Sequence, residues 1–527
     1  MIQLKSFKKC ILYLLAVLIL MSFSGCGNKT ETSGGQVSGQ YGDSYPLEGS
    51  PKITYWMQLN SALLNTDSEM ATTPFAQGLQ EETGIEIEFI HPSPQQVGEQ
   101  FNIMLASGDL PDVIEWIWYN FPGGPQKAIN DGYILALNDV FDKYSPNIKK
   151  YIEENPDVDK MLQTDERNYY VYPFIRGDEI LKTYSGPVAR ADWMKELNIS
   201  APETLDDWEA MLKAFKENKQ CDTPLQYDKD LMWAFGVKDD FYFQGDEIVY
   251  GPIQPEYKAF VTKMNQWLKD GLMTTTGSEE TNPVTAAFVS GKTGVAYSTG
   301  GTIAKWMQAG VANNPAFDIV GLKYPVLQKG EKSKFIQRDY SYALSGQSAA
   351  ISATSKNVEA AARLLDYGYS PEGNRYFNFG KEGVTYNMVG DYPTYTDVIL
   401  NNPEGLAPVN ALARNVRAGY SGPFIQKKEY LEQYYNMPQQ MDALETWCDE
   451  EGNKSALPLI TYTTEESNTV ATVMNDVKSH VDEMTMKFIV GAEPLENFDK
   501  YVETIKKLNI DEIIQIQKKA VDRYNAR

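Results

Sequence analysis

The chain has 527 residues, 42% of them hydrophobic and 12% aromatic, enough to fill the cores of two or three domains. Its 71 acidic residues against 48 Lys and Arg give a net charge of −23, a balance that repels nucleic acid and anionic lipid headgroups. With two His and four Cys there is little material for a His-based relay or a thiolate metal site.

In chain order, the first apolar run is "CILYLLAVLILMSFSGCG", preceded by Lys5, Lys8 and Lys9. Its core, Ile11 to Phe23, falls short of the ~20 residues that span a bilayer. A basic start, a short apolar core and small residues form a secretory leader. Ser24-Gly25-Cys26 resembles a bacterial lipobox, in which the Cys carries the lipid, although Phe23 stands where Leu is usual. Residues 1–25 therefore read as a signal peptide, and 26–50 as lipidated Cys26 followed by a Gly/Ser/Thr-rich tether. Such a tether reaches roughly 25–30 Å. Loss of the three leader lysines takes the charge from −23 to −26. No second hydrophobic span follows, so the expectation is a lipid-anchored protein on the outer face of a cell membrane. Cys10 leaves with the leader, and Cys221 and Cys448 are expected as separate buried thiols.

From residue 51 strand and helix patterns alternate. "ITYWMQ" reads as a strand, "PFAQGLQEETG" as a helix stopped by Gly84, and "IEIEFI" alternates with period two. Val97, Phe101, Met104 and Leu105 share a helical face, and "DVIEWIW" (112–118) reads as a buried strand. This β-α-β-α-β order predicts a doubly wound sheet. Farther on, Leu205, Trp208, Leu212 and Phe215 form a helical stripe behind an N-capping Thr204. A Gly-bounded strand Val295–Tyr297 lies between two helices, another helix covers 357–370, and two amphipathic helices close the chain.

Motifs for chemistry are sparse. "DVDK" (157–160) lacks the Gly and distal Glu of a calcium loop and reads as a solvated turn. "SGKTG" (290–294) has Ala286 where a phosphate loop needs Gly, and reads as a turn. No Gly-x-Ser-x-Gly elbow occurs. No catalytic residue, metal ligand or cofactor is assigned.

Aromatic residues carry the signal. Trp56 ends the first strand, Trp116 and Trp118 the third, Tyr172 sits in "NYYVYPF", Trp233 in "LMWAFG", and Tyr297 precedes "STGG". Strand ends of α/β sheets face ligand crevices, and Trp and Tyr rings offer flat apolar faces with one polar atom. Such faces match the C–H patches of sugar rings, although a strand-end Trp is often simple packing. If the third strand persists, Trp116 and Trp118 share one face. Arg176, Arg190 and Arg338 place guanidinium forks near the same strand ends. They suit either a ligand carboxylate or a neighbouring Asp such as Asp178, Asp192 or Asp339, and the Asp is the expected partner.

Several stretches, among them "ETGIEIEFIHP", "FNIMLASGDLPDVIEW", "VARADWMKELNISAPETLDDWEAMLKAFKE", "FVSGKTGVAY" and "FIVGAEPLENFDKYVETIKKLNIDEIIQIQKKA", resemble in kind and order the family 1 extracellular solute-binding proteins of ABC importers, the large lipoproteins of LplA/LipO type. The resemblance covers the whole mature chain. It implies a periplasmic-binding-protein-like α/β fold, two α/β lobes with crossing hinge strands and a ligand cleft between them. By analogy lobe one is 51–185 plus 345–375 and lobe two 186–344 plus 376–527. The first crossing falls near "KTYSGPVARADW" and the return near "SYALSGQSAAIS". It also implies a monomeric, non-enzymatic carrier in a Gram-positive cell, delivering a sugar or oligosaccharide to permease subunits. Trp56, Trp116, Trp118, Tyr172, Trp233 and Tyr297 are the expected platforms, with Arg176 and Arg338 as polar clamps. Some relatives hold calcium in a loop that here reads only "QTDER". The alternatives are a membrane-anchored glycoside hydrolase and a ligand-sensing lipoprotein.

Overall fold

The computed structural model describes residues 41–527, apart from 43, 277–280, 343–345, 420 and 450. The leader and Cys26 lie outside the described residues.

The first sheet is built from β1 (Lys52–Trp56), β2 (Glu86–Ile90), β3 (Val113–Trp116) and the later strand Ser348–Ile351. β1 runs parallel to both β2 and β3, whereas Ser348–Ile351 is antiparallel to β3, giving spatial order Ser348–Ile351, β3, β1, β2. The helix Pro74–Thr83 starts where Thr73 accepts a hydrogen bond from the amide of Ala76, and stops at Gly84. Gly84 has φ +70°, and a Cβ there would lie 2.7 Å from the backbone of Leu47, so both conformation and close approach require glycine.

β3 stops two residues earlier than its pattern predicts. After Trp116 the chain turns into a short 3-10 helix, Trp118–Asn120. The Trp118 indole N–H folds back to donate to the carbonyl of Ile114 at 3.1 Å. The expected shared face of Trp116 and Trp118 is therefore lost: Trp118 is fully buried and Trp116 is half-buried.

The second sheet has the order Ile319–Gly321, β5 (Ser185–Arg190), Val295–Thr299, Leu225–Gln226, Met273–Thr274. β5 is antiparallel to both of its neighbours. The helix Leu205–Asn218 begins at a reciprocal cap formed by Thr204 and Asp207, and its Leu205, Trp208, Leu212 and Phe215 are buried as their spacing predicts. Two α/β lobes result.

Three segments cross between the sheets. β4 (Phe174–Arg176; it precedes β5) pairs in parallel with Phe424–Gln426, and Ile175 bridges to Tyr342. Gly177 donates to the carbonyl of Gln426, and a Cβ at Gly177 would approach that oxygen to 2.6 Å. The third crossing, near 417–427, has no counterpart in the two-crossing expectation. It is tied to the first sheet by Arg417, whose Nη2 lies 3.1 Å from both carboxylate oxygens of Glu115. Tyr55 donates to the same carboxylate at 2.7 Å, and all three side chains are buried. Helix Pro408–Asn415 packs against the first-lobe helices, although 376–527 was expected with the second lobe; Arg414 pairs there with Asp67.

Toward the C-terminus, a 27-residue helix, Thr464–Val490, packs on the helix Pro255–Lys269, where Asn265 donates to the carbonyls of Phe488 and Ile489. The two closing helices are Phe498–Lys507 and Ile510–Asn525. Cys221 and Cys448 form no disulfide.

Removing one partner of a buried ion pair strands the other charge, at about 3–5 kcal/mol. Glu115→Leu and Arg417→Met are each expected to lower the unfolding free energy by about that much, while the Glu115→Leu/Arg417→Met double variant loses less than the sum. Urea unfolding of the three variants checks this.

Candidate functional site

The crossing segments carry Phe174 and Arg176 into a hollow of about 490 Å³ at the C-terminal ends of β1 and β3. Its first-lobe lining is Gln58 to Ser61, directly after β1, and Ile117, directly after β3. Asn60 caps the short helix Ser61–Leu64, and Gln347 donates to Gln58 at 3.2 Å, so two loops share one polar rim. A larger hollow of about 900 Å³ is lined by Tyr119, Asp240, Arg338, Asp339, Tyr340 and Tyr462, among others. The two adjoin where Arg176 of the first meets Asp339 of the second, Nη2 to Oδ2 at 3.9 Å.

The expected aromatic platforms separate into two groups. In the first lobe Phe101 is the hub of a cluster: it stacks on Trp116 at 4.1 Å between centroids, lies 5.9 Å from Trp56 and meets Trp118 edge-on at 5.6 Å. Trp56 is buried and Trp118 completely so, and none of Trp56, Trp116 and Trp118 lines either of these two hollows. Trp116, half-buried on the rigid face of Phe101, keeps part of its ring in water. Tyr172 lies in the core, its hydroxyl 2.6 Å from that of Ser145. Its place in "NYYVYPF" reflects packing ahead of β4.

In the second lobe Trp233 and Tyr297 are brought together by Tyr324, at 5.3 and 6.2 Å. The Tyr324 hydroxyl donates to the carbonyl of Ser185 and accepts from the amide of Gln337. The Tyr297 hydroxyl is buried with no hydrogen-bond partner among the described residues. Burial raises its pKa well above the ordinary tyrosine value, and the nearby Asp228 and Asp230 add to that. Both carboxylates come from "YDKDLMW", just ahead of Trp233. Burial first, then Asp228, push the Asp230 carboxyl well above the usual range. Tyr184, 42% exposed, lies in the fields of Asp339, Arg176 and Asp230, which places it at the same junction.

The arginines are engaged. Arg176 Nη1 donates to Gln426 at 2.5 Å, and only Nε lacks a partner among the described residues. Arg338 pairs with Glu179 and donates to the carbonyl of Asp449. Arg190 grips Asp192 through two hydrogen bonds and stacks between Trp193 and Phe317, far from any rim role. In "QTDER", Asp165 accepts from Arg523 and Arg527 at 2.6 Å each, so guanidinium donors occupy the carboxylate and the loop does not fit calcium. Among the described residues no group of three or more His, Cys, Asp or Glu is placed to hold a metal.

The aromatic positions were visible from strand ends. Gln58, Asn60, Gln347, Asp228, Asp230 and Tyr324 were not, since a polar loop residue has the same sequence signature whether it lines a cleft or faces water; the Asp-x-Asp spacing before Trp233 was the one available cue.

Residues 66–375 match the model of the bacterial extracellular solute-binding proteins. The chain belongs to that family. It is 24% identical to the fructooligosaccharide ABC transporter substrate-binding protein FusA of Streptococcus pneumoniae serotype 4 (strain ATCC BAA-334 / TIGR4) over 99% of both chains, and 24% identical to lipoprotein LipO of Bacillus subtilis (strain 168) over 87% of this chain and 91% of that one. An extracellular solute-binding protein from Bifidobacterium longum subsp. infantis has the same fold, with a TM-score of 0.72 at 19% identity over 90% of this chain and 99% of its own. The family is one of solute-binding proteins and the pneumococcal relative is a substrate-binding protein, and no helix among the described residues is long and apolar enough to cross a membrane.

A carboxyl whose folded pKa is raised holds its proton where the unfolded chain, titrating near ~3.9, has released it. Asp230 thus contributes stability that is present below about pH 4 and lost as pH rises through its own raised value. Asp230→Asn is expected to gain on the parent progressively from pH 4 upward; unfolding midpoints taken from pH 4 to 8 show the widening gap, and a constant gap contradicts it.

Proposed function

We propose that this solute-binding protein captures an oligosaccharide outside the cell and hands it, unaltered, to the permease of an ABC importer. The observation that carries the reading is the pair of adjoining hollows: Arg176, on a crossing segment, lines the first and meets Asp339 of the second, which Tyr119, Tyr340 and Tyr462 also line. Aromatic faces stack on the C–H patches of sugar rings, and amides and carboxylates around them accept and donate to hydroxyls. The family and the pneumococcal relative, a fructooligosaccharide ABC transporter substrate-binding protein, support both the ligand class and the importer. Lobe closure about the crossing segments gives the permease a liganded shape to read. Lipidation at Cys26 and the tether from 27 to 50 keep a monomeric carrier beside its transporter.

In this reading Trp116, Trp233, Tyr297 and Arg176 contact ligand, with Arg338 at the edge of the larger hollow. Trp56, Trp118 and Tyr172 hold the walls in place. Calorimetric titration with an oligosaccharide panel, with chromatography of the recovered sugars, tests it: saturable binding with every sugar intact is the expected result, and cleavage products point to a hydrolase instead. Trp116→Ala is expected to weaken binding about tenfold and to cost less stability than truncation of a fully buried ring, since Trp116 is only half-buried on Phe101. Trp118→Ala is expected to lose about 3–5 kcal/mol of stability as a core truncation. Ligand affinity and urea midpoints measured on the same two variants separate the roles.

A further inference from the structure

The larger hollow has one wall that passes from lobe to lobe. Residues 456–460 and Tyr462 form it, and its two ends are hydrogen-bonded to different lobes. At one end Phe243, in the second-lobe hairpin of Phe241–Gln244 and Glu247–Tyr250, donates its amide to the carbonyl of Ser455 at 2.7 Å. Tyr242 of the same hairpin bridges to Ala456. At the other end the Tyr119 hydroxyl, from the turn after β3, donates to the carbonyl of Ile460 at 2.5 Å. The Tyr462 carbonyl lies against Gly124 of the first lobe, 3.7 Å from where a Cβ would stand. The stretch is therefore a fourth connection between the lobes, and it shares the lining of the hollow with Arg338 and Asp339.

What fastens the first-lobe end is the carboxylate of Asp165. Its loop is built into lobe one: Asn138 donates to the carbonyl of Arg167, and Gln126 accepts from Thr164 and Asn168. Asp165 Oδ1 accepts from the Thr461 hydroxyl at 2.9 Å and from Arg527 at 2.6 Å, and Oδ2 accepts from Arg523 Nε at 2.6 Å. Arg523 also reaches Glu466 through both terminal nitrogens, at 3.1 and 2.5 Å. Arg527, its side chain 1% exposed, donates in addition to the Thr461 hydroxyl and the carbonyl of Lys160. Both arginines stand at the end of the helix Ile510–Asn525, which packs on the second-lobe strand Glu247–Tyr250. One first-lobe carboxylate is thus gripped by two second-lobe guanidiniums, and a forked, charge-assisted grip fixes geometry as well as adding attraction. It acts where packing is thinnest: ahead of Val477 the helix Thr464–Val490 buries no side chain, and its start is held by the Thr463 cap and the Glu466–Arg523 pair. On the hollow side, the Tyr462 hydroxyl is held by Gln517 of the same closing helix.

We propose that Asp165, Arg523 and Arg527 are positioning residues of the cleft: they clamp residues 455–466 across the lobes and hold the Ile460–Tyr462 wall of the larger hollow in place. The proposal goes beyond the saccharide reading and holds for any solute that the hollow takes.

The test uses the full chain purified in detergent, with hydrogen exchange followed peptide by peptide. In Asp165→Asn, exchange across 464–476 is expected to speed up about tenfold, while 477–490 of the same helix keeps the rate of the parent. Arg523→Met is expected to match it, and Arg523→Lys, which keeps the charge without the fork, to lie between Arg523→Met and the parent. A folded Asp165→Asn protein with parent-like exchange at 464–476 overturns the clamp, and so does an equal rise in both halves of the helix, which reports general loss of stability. Nitration by tetranitromethane, mapped by mass spectrometry, reads the wall itself. Modification of Tyr119 and Tyr462 is expected to rise about threefold in Asp165→Asn as their hydroxyls lose fixed partners. Unchanged nitration of both tyrosines overturns the positioning of the wall. Neither arm uses a sugar, so failure of the saccharide reading and failure of the clamp are separate results.

Discussion

The architecture depends on one buried contact, the pairing of Arg417 with Glu115. Glu115 sits on β3 at the centre of the first sheet, 1% exposed, with the Tyr55 hydroxyl from β1 on one of its oxygens. Arg417 comes from the third crossing, and its Nε also donates to the carbonyl of Ser421. A carboxylate and a guanidinium out of water demand close geometry and saturated hydrogen bonding, or desolvation exceeds their attraction. Meeting that demand fixes where the 417–422 turn lies above the strand ends. Gly422, at φ +134°, admits the guanidinium: a Cβ there would lie 2.4 Å from Arg417 Nη2. From this point the chain enters Phe424–Gln426, pairs with β4 and positions Arg176. The rim of the cleft and the floor that joins the lobes are thus consequences of one ion pair beneath them.

The aromatic cluster obeys a related logic. A ring that stacks on a sugar is useful only if it is held still, because ordering it on binding opposes affinity. Phe101, 2% exposed, supplies the stationary surface. Trp56 and Trp118 are fixed around it by packing and by the Trp118 bond to Ile114, which leaves Trp116 as the member with ring surface in water. Three tryptophans are therefore close together and unequally exposed, two buried and one half-buried. On the opposite side Tyr324 does for Trp233 and Tyr297 what Phe101 does for Trp116, with its hydroxyl locked by Ser185 and Gln337.

How much of this was legible in the chain follows from the range of each interaction. Helices with caps and stripes, such as Pro74–Thr83 behind Thr73 and Leu205–Asn218 behind Thr204, are specified by neighbours within a few residues, and their boundaries were readable. The end of β3 was misread because alternation continues through Trp118 in the sequence, while a side-chain bond to the carbonyl of Ile114 stabilises a turn instead. The third crossing was missed because Phe424–Gln426 is three residues long and owes its pairing to β4, some 250 positions earlier. The helix Thr464–Val490 carries only Val477, Val481, Thr485, Phe488 and Ile489 as buried residues, all in its C-terminal half, so its first turns lack an apolar period. Arg417 and Glu115, 302 residues apart, carry no local mark at all.

The same distinction governs the site. Trp116 and Trp233 could be nominated from composition at strand and loop ends, because large aromatic rings near turns are scarce enough to be informative. The carboxylates could not, because in a chain with 71 acids an Asp-x-Asp in a loop resembles every other solvated turn. What separates Asp230 from those turns is desolvation and the neighbouring charge of Asp228, which only the folded chain imposes on it. The arginines were expected to pair with acids, and Arg190 does so with its neighbour Asp192; Arg176 meets Asp339 and Arg338 pairs with Glu179, partners well over 100 positions away that no local pattern marks. On the proposed reading such a cleft would bind through hydroxyl geometry and ring stacking, both short-ranged, so that parting the lobes would release the ligand.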